Sequence, residues 1–358
     1  MMPLLSLPTE LLMAIACHLQ SSDDINALAQ TNRRCYAMFN HYLYVYAASN
    51  SETSGLLWAA ESGILETVKH FFDTGIFALP RAADIMKRLL FLSARYGHHE
   101  IAAFVLAHGA WSPTDMEDDC RAAVESAIRF GHIEVIRVLV NNGMDLEFAY
   151  WDDNTPLHIA ALWDQAEIIK FLFDRGVDLY RRGKFGYSAL HLAARYGSEN
   201  AVRALLDCGF DPECVDSEGN RPLHVAAIGG SGAVTRALLD QGANPYQTDG
   251  NGVRPLYLAV FLNRESLFPN QEYMITALLD YGVNPDGLDA NGNAQQSLPL
   301  EEHVQRLYDT IPPHTIAGYR DIKDDMESSN CCAPLCVAAL LGYETIARLL
   351  LDRGANPN

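Results

Sequence analysis

The 358-residue sequence predicts an all-α protein in which a short N-terminal helical module precedes a solenoid of about eight two-helix repeats. Two regularities predict it. A tetrapeptide recurs every 33 residues, as Thr155-Pro156-Leu157-His158, Ser188-Ala189-Leu190-His191, Arg221-Pro222-Leu223-His224 and Arg254-Pro255-Leu256-Tyr257, each followed two positions later by Ala-Ala or Ala-Val. A glycine then lies 20 residues after the second tetrapeptide position, at Gly176, Gly209 and Gly242. The same offset extends the series upstream, to units ending at Gly75, Gly109 and Gly143, and downstream to one running from Pro334 to Gly354.

Charge and composition narrow the functional classes. Lys and Arg number 26 against 45 Asp and Glu, a formal net charge of −19, which is the wrong sign for a protein that grips nucleic-acid phosphates. Apolar residues make up 49% and charged ones 20%, enough for a buried core and too hydrophobic for a disordered chain. No stretch approaches the roughly 18 uninterrupted apolar residues of a membrane span. The opening stretch through Leu19 has no Lys or Arg and carries Glu10 in its middle, so a soluble, non-secreted protein is expected. Eight scattered cysteines with no CxxC pair predict reduced thiols and a cytoplasmic and/or nuclear location.

Residues 1–48 fall outside the period and read as three short helices. The first starts at Pro8 and places Leu11, Leu12, Ile15 and Leu19 on one broad face. The second sets Ile25, Leu28 and Ala29 at i, i+3 and i+4, and the third covers Arg33 to about Val45. So small a module cannot bury that many large apolar side chains alone. Either a partner protein covers them, or the module is a helical cap on the first repeat.

Across 55–358 each repeat follows one plan. Thr or Ser caps an inner helix and Pro takes its first position, where a missing N–H costs nothing. The paired alanines are small enough for neighbouring repeats to approach. A turn at Gly97, Gly131, Gly197 or Gly230 leads to an outer helix whose closing glycine suits a left-handed cap. The units around Leu89 and Ala123 lack the tetrapeptide and are placed by spacing and apolar pattern. In the seventh unit Gly242 to Gly282 spans 40 residues, so seven extra around Glu265–Gln271 are expected as a surface loop. A larger acidic insertion, 286–330, holds nine acidic residues, three basic ones and three prolines. It is either an ordered lid or a flexible loop, with Leu300–Leu307 able to form a short helix. The last repeat ends at Asn358 with no polar capping helix after it, so its outer helix is expected to be the frailest.

The repeats resemble the ankyrin repeat over about 300 residues. The N-terminal order Leu7-Pro8-x-Glu10-Leu11-Leu12-x-x-Ile15-x-x-x-Leu19, continued by Asp24-Ile25-x-x-Leu28-Ala29-x-x-x-Arg33-Arg34-x-Tyr36, resembles an F-box. That second resemblance implies that Leu7, Pro8, Leu11, Ile15 and Leu19 dock on the Skp adaptor of a cullin-based ubiquitin ligase, while the rest of the chain selects the protein to be ubiquitinated. Together they imply a non-catalytic substrate receptor. An ankyrin scaffold that binds or sequesters a partner without a ubiquitin role is the other reading.

Within an ankyrin unit the two residues that end the inner helix point into the groove. Here they read Arg95-Tyr96, Arg129-Phe130, Leu162-Trp163 and Arg195-Tyr196. Aromatic residues and Arg dominate binding hot spots. Arg95, Tyr96, Arg129, Phe130, Trp163, Arg195 and Tyr196 are therefore the expected target-binding ladder, with the finger-tip residues Tyr150, Trp151, Phe185 and Tyr187 beside it. Padding of the inter-repeat core by these rings, with Arg stems over them, is the competing explanation. The recurrent His158, His191 and His224 are expected to order turns, as the ankyrin resemblance implies, and not to bind metal. His99-Glu100 opens like a zinc-protease HExxH but meets Ala103 at the fifth position; Cys331, Cys332 and Cys336 match no common zinc spacing; and Gly229-Gly230-Ser231-Gly232 lacks the lysine of a phosphate loop. No cofactor, metal or catalytic constellation is expected.

Overall fold

A computed structural model of the chain describes residues 54–73, 82–109, 118–262, 271–289, 291–293 and 333–357. The expected N-terminal module, with Leu7, Pro8, Leu11, Ile15 and Leu19, lies outside the described residues. So does the segment 300–307.

The chain divides into two compact units, Met1–Asp145 and Leu146–Asn358. Among the described residues every regular element is helical and none is a strand. The first unit holds α1 (Ser54–Glu61), α2 (Leu65–Asp73), α3 (Ala82–Tyr96), α4 (His99–Ala107), α5 (Asp118–Arg129) and α6 (Ile133–Asn141). The second holds α7 (Pro156–Leu162), α8 (Ala166–Asp174), α9 (Ala189–Tyr196), α10 (Glu199–Asp207), α11 (Pro222–Gly229), α12 (Gly232–Asp240), α13 (Pro255–Phe261), α14 (Gln271–Asp280), α15 (Pro334–Leu340) and α16 (Glu344–Asp352). The helices come in pairs, an odd-numbered inner helix followed by an even-numbered outer one. Within the first unit α1, α3 and α5 stack in order, as do α2, α4 and α6; within the second the inner stack runs from α7 to α15 and an outer stack from α8 to α14. None of these helices is long and apolar enough to cross a membrane.

The tetrapeptide builds this stacking. Pro156, Pro222, Pro255 and Pro334 each open an inner helix. The leucines that follow, Leu157, Leu190, Leu223 and Leu256, are at most 2% exposed, each contributing about 2 kcal/mol of burial. Ala160, Ala193, Ala226 and Ala259 are wholly buried between adjacent inner helices.

The expected turn glycines are left-handed, with φ of 80°, 74°, 73° and 69° at Gly97, Gly131, Gly197 and Gly230. Asp164 occupies the same turn of the α7–α8 pair at φ 57°, a conformation that costs an L-residue about 1 kcal/mol. Its carboxylate offsets the strain by accepting from the Ala201 N–H and the Asn200 side-chain amide, both at 2.8 Å. The turn of one repeat thus caps the outer helix of the next.

Both insertions sit differently from the sequence expectation. Asp289 N–H donates to Asn293 O at 3.0 Å, the same five-residue finger that Asp216 closes on Asn220 and Asp249 on Val253, both at 2.9 Å. The residues 286–293, assigned to the acidic insertion, therefore include the finger of the last repeat, and the insertion begins after Asn293. The register of the repeat contacts agrees. Glu147 accepts from Asp178 N–H and Glu213 from Asn244 N–H, each 31 residues on, and Asp286 accepts from Asn356 N–H 70 residues on. The excess, 70 − 31 = 39, is the length of 294–332. Those residues are inserted without altering the contact, and α15 packs on α13 while Arg353 pairs with Asp280 at 2.7 Å. In the smaller insertion Gln271 is no loop residue: it lies inside α14, wholly buried, and donates to Ala227 O at 2.5 Å.

Asp164→Ala keeps the left-handed strain and removes both caps, so it should cost about 1–2 kcal/mol in urea unfolding. Asp164→Gly removes the same caps but relieves the strain and should cost less; equal losses would show that the left-handed conformation carries no strain, and no loss in Asp164→Ala would show that the caps contribute nothing.

Candidate functional site

The recurrent histidines join repeats. Thr155 N–H donates to His158 Nδ1 at 3.3 Å and the Thr155 hydroxyl lies 2.9 Å from the same nitrogen. Because Nδ1 accepts, the proton resides on Nε2, which donates to Tyr187 O of the next repeat at 3.2 Å. His191 repeats the pattern, with Ser188 N–H on Nδ1 and Nε2 donating to Asn220 O at 3.0 Å; His224 donates to Val253 O at 3.0 Å. All three acceptors lie 29 residues on.

This geometry corrects part of the finger-tip expectation. Tyr187 supplies the carbonyl that His158 needs, and its own ring stacks on His191 at 5.7 Å between centroids. Tyr187 is consequently 6% exposed, as is Tyr150, whose N–H closes its finger on Asn154 O. Neither ring is a contact surface. Phe185 is exposed, at a left-handed φ of 61°, and its carbonyl is held by Ser217; nothing is described of the Trp151 side chain.

The helix-end ladder divides in the same way. In the first unit Tyr96 is 46% and Phe130 48% exposed. The Arg95 guanidinium lies 5.9 Å from the Tyr96 ring centre and 5.9 Å from that of Phe130, and Arg129 lies 5.7 Å from Phe130, so these four residues are brought together. In the second unit Tyr196 is 61% exposed, while Trp163 is half-buried. Arg195 is half-buried too and donates to the Tyr187 hydroxyl at 3.2 Å.

Several inter-repeat ties were missing from the sequence reading. His98 Nε2 donates to Glu61 O at 2.8 Å and His132 Nε2 to Arg95 O at 3.0 Å, the outer-helix start of one repeat holding the inner-helix end of the one before. Ser198 does the same to Leu162 O at 3.2 Å. Arg221 and Arg254, which replace Thr in the tetrapeptide, reach forward, Arg221 to Thr248 O at 2.6 Å while also pairing back with Glu213, and Arg254 to Gly287 O, to Asn293 O at 3.1 Å and to the Asp289 carboxylate at 3.4 Å. The signal was the substitution of a long donor for a capping hydroxyl.

Two groupings invite a chemical reading and decline it on geometry. Cys214 Sγ lies 3.8 Å from His191 Nδ1 and 3.7 Å from Ser188 Oγ. Burial pushes that thiol's pKa up, and both imidazole nitrogens are already engaged, so neither thiolate nor free base is present. In the Gly229–Gly232 segment, a β-carbon on Gly229 would fall 2.3 Å from Arg195 O and one on Gly232 2.6 Å from Tyr273 O, so close backbone packing accounts for both glycines. Among the described residues no group of three or more His, Cys, Asp or Glu side chains is placed to hold a metal. Cys336 is exposed, and Cys331 and Cys332 lie outside the described residues.

Burial, by stripping water from the imidazolium, pushes His158 and His191 from 6.5 down to about 4, against the opposing pull of their carbonyl bonds. Unfolded, both rings titrate near 6.5. Below that pH the unfolded chain takes up protons that the folded chain refuses, so stability is full above 6.5 and falls as the pH drops toward 4. The expected loss is about 2 kcal/mol per ring by pH 5. Urea unfolding at pH 7.5 and 5.0 checks it, and an unchanged midpoint would contradict the assigned protonation.

The family model described as ankyrin repeats in three copies matches residues 56–150, 90–183, 148–216 and 190–289, and the single ankyrin-repeat model matches 330–358. No curated protein matches the chain. These matches span well over half of the sequence and coincide with the paired, histidine-linked helices, and the chain belongs to the ankyrin-repeat family.

Proposed function

We propose that the chain is a non-catalytic substrate receptor of a Skp–cullin–F-box ubiquitin ligase. Residues 1–48 act as the F-box and hold the Skp adaptor through Leu7, Pro8, Leu11, Ile15 and Leu19, and residues 55–358 bind the target protein. Ankyrin repeats are protein-interaction modules, and that half of the reading rests on the family match. The adaptor half rests on one observation, the Leu7-Pro8 start followed by apolar residues at helical spacing. Tethering the target beside a ubiquitin-charged enzyme raises its effective concentration, so the rate gain is one of proximity and the receptor needs no catalytic group, cofactor or metal of its own. The protein works in the cytoplasm and/or nucleus, where adaptor and cullin partners are available to it.

A scaffold that binds a partner with no ubiquitin role uses the same repeats, and adaptor capture separates the two. The full chain should pull down purified Skp adaptor. Leu11→Asp with Ile15→Asp puts unpaired charge into the apolar contact at a cost of several kcal/mol, on the order of 3 or more, and should abolish capture while urea unfolding of the repeats stays the same. Failure of the unaltered chain to capture the adaptor removes the ligase reading and leaves the scaffold.

A further inference from the structure

The C-terminal ends of α3 and α5 carry a grouping that repeat stacking does not require. Arg95 is exposed, and its guanidinium lies 5.9 Å from each of two ring centres, Tyr96 on its own helix and Phe130 on the next inner helix. Among the described residues no carboxylate pairs with it. Elsewhere in the chain Arg137, Arg203, Arg348 and Arg353 each meet one, as a sequence with 45 acidic residues and a net charge of −19 leads one to expect. Both rings remain about half exposed.

Two anchored histidines flank the grouping. The His98 ring lies 6.5 Å from that of Tyr96 and the His132 ring 6.3 Å from that of Phe130. Each histidine is anchored by its bond to a carbonyl of the preceding repeat, and for His132 that carbonyl is Arg95's own. The planar Arg95 fork thus projects between two rings from helix ends whose backbone is held in register.

We infer that Arg95, Tyr96 and Phe130 form a docking site for an acidic peptide segment of a partner protein, a carboxylate taking the Arg95 fork and adjacent apolar side chains covering the two rings. The charge complementarity is specific, because the site is a cationic point on a strongly acidic chain, where electrostatic steering favours an anionic segment. A carboxylate matches the planar Arg95 fork with two parallel hydrogen bonds. Arg195 is not part of this site, since it is half-buried and donates to the Tyr187 hydroxyl. The inference rests only on the protein-binding half of the function proposed above: failure to capture the Skp adaptor leaves it standing, and its own failure leaves adaptor capture standing.

The test pans a displayed library of random 12-residue peptides against the immobilised full chain and, in parallel, against Arg95→Glu, Phe130→Ala and Arg195→Glu. The unaltered chain should enrich peptides that set Asp or Glu beside large apolar residues. The most enriched peptide, made synthetically and followed by fluorescence anisotropy, should bind Arg95→Glu and Phe130→Ala about tenfold or more weakly and should weaken with added salt. Arg195→Glu should lower the thermal midpoint and leave the peptide affinity unchanged, whereas Arg95→Glu should leave the midpoint unchanged. Enrichment of basic or neutral peptides, enrichment of none, equal binding to Arg95→Glu, or binding only after a Ser or Tyr in the peptide is phosphorylated would each overturn the assignment.

Discussion

The buried histidine that joins three successive tetrapeptides to the finger that follows each is the interaction on which the second unit depends. An imidazole offers one acceptor and one donor on opposite sides of a rigid ring. In His158 and His191 the acceptor closes the start of an inner helix and the donor takes a backbone carbonyl 29 residues on. One side chain therefore fixes a helix end and the position of the following repeat together. A repeat of this size cannot bury its apolar face alone, so its stability is largely that of its interfaces with neighbours. Other donors also reach across: Arg221 and Arg254 toward the next finger, Gln271 and Ser198 toward the previous inner helix. The result is a chain of local couplings. None of them needs the residues that separate them in sequence.

That independence is what allows the 39 residues between Asn293 and Ala333. The Asp286–Asn356 contact reproduces, across the insertion, a bond made twice elsewhere without one. Lengthening a loop whose ends already lie close costs little, because closure entropy grows only with the logarithm of loop length. It also separates the two tasks of the surface. Ties such as His132 to Arg95 O use backbone carbonyls and leave the side chains at the helix ends free to differ from repeat to repeat, which is where a partner-specific site can evolve without cost to the stack.

Much of the architecture was legible because the tetrapeptide is both a sequence signature and the physical device that starts a helix. The left-handed turns at Gly97, Gly131, Gly197 and Gly230 follow from the same period. The start of the large insertion was legible too, in the way Asp216–Asn220 and Asp249–Val253 each end directly before a tetrapeptide, but glycine spacing alone does not reveal it. The candidate site was harder. Tyr150 and Tyr187 read as finger tips because they are aromatic and lie in loops; they are buried because their backbone groups close a finger or accept a histidine hydrogen bond, which depends on register and not on residue type. Arg95 and Arg195 look identical in sequence, each followed by Tyr. They differ because Tyr187 offers Arg195 a hydroxyl and Arg95 meets only rings. His98 and His132 carried a usable signal, a histidine directly after the turn glycine twice in succession, whose acceptor only the fold supplies.

The claim that histidine bonds couple neighbouring repeats is tested most directly by amide hydrogen exchange on a His191→Leu variant. Leucine fills the space but leaves the Ser188 N–H and the Asn220 carbonyl without their buried partner, at about 1–3 kcal/mol for each group. If the bond couples repeats, protection falls together in α9, in the 216–220 finger and in α11. Loss confined to α9, or no loss in either repeat, would contradict the account.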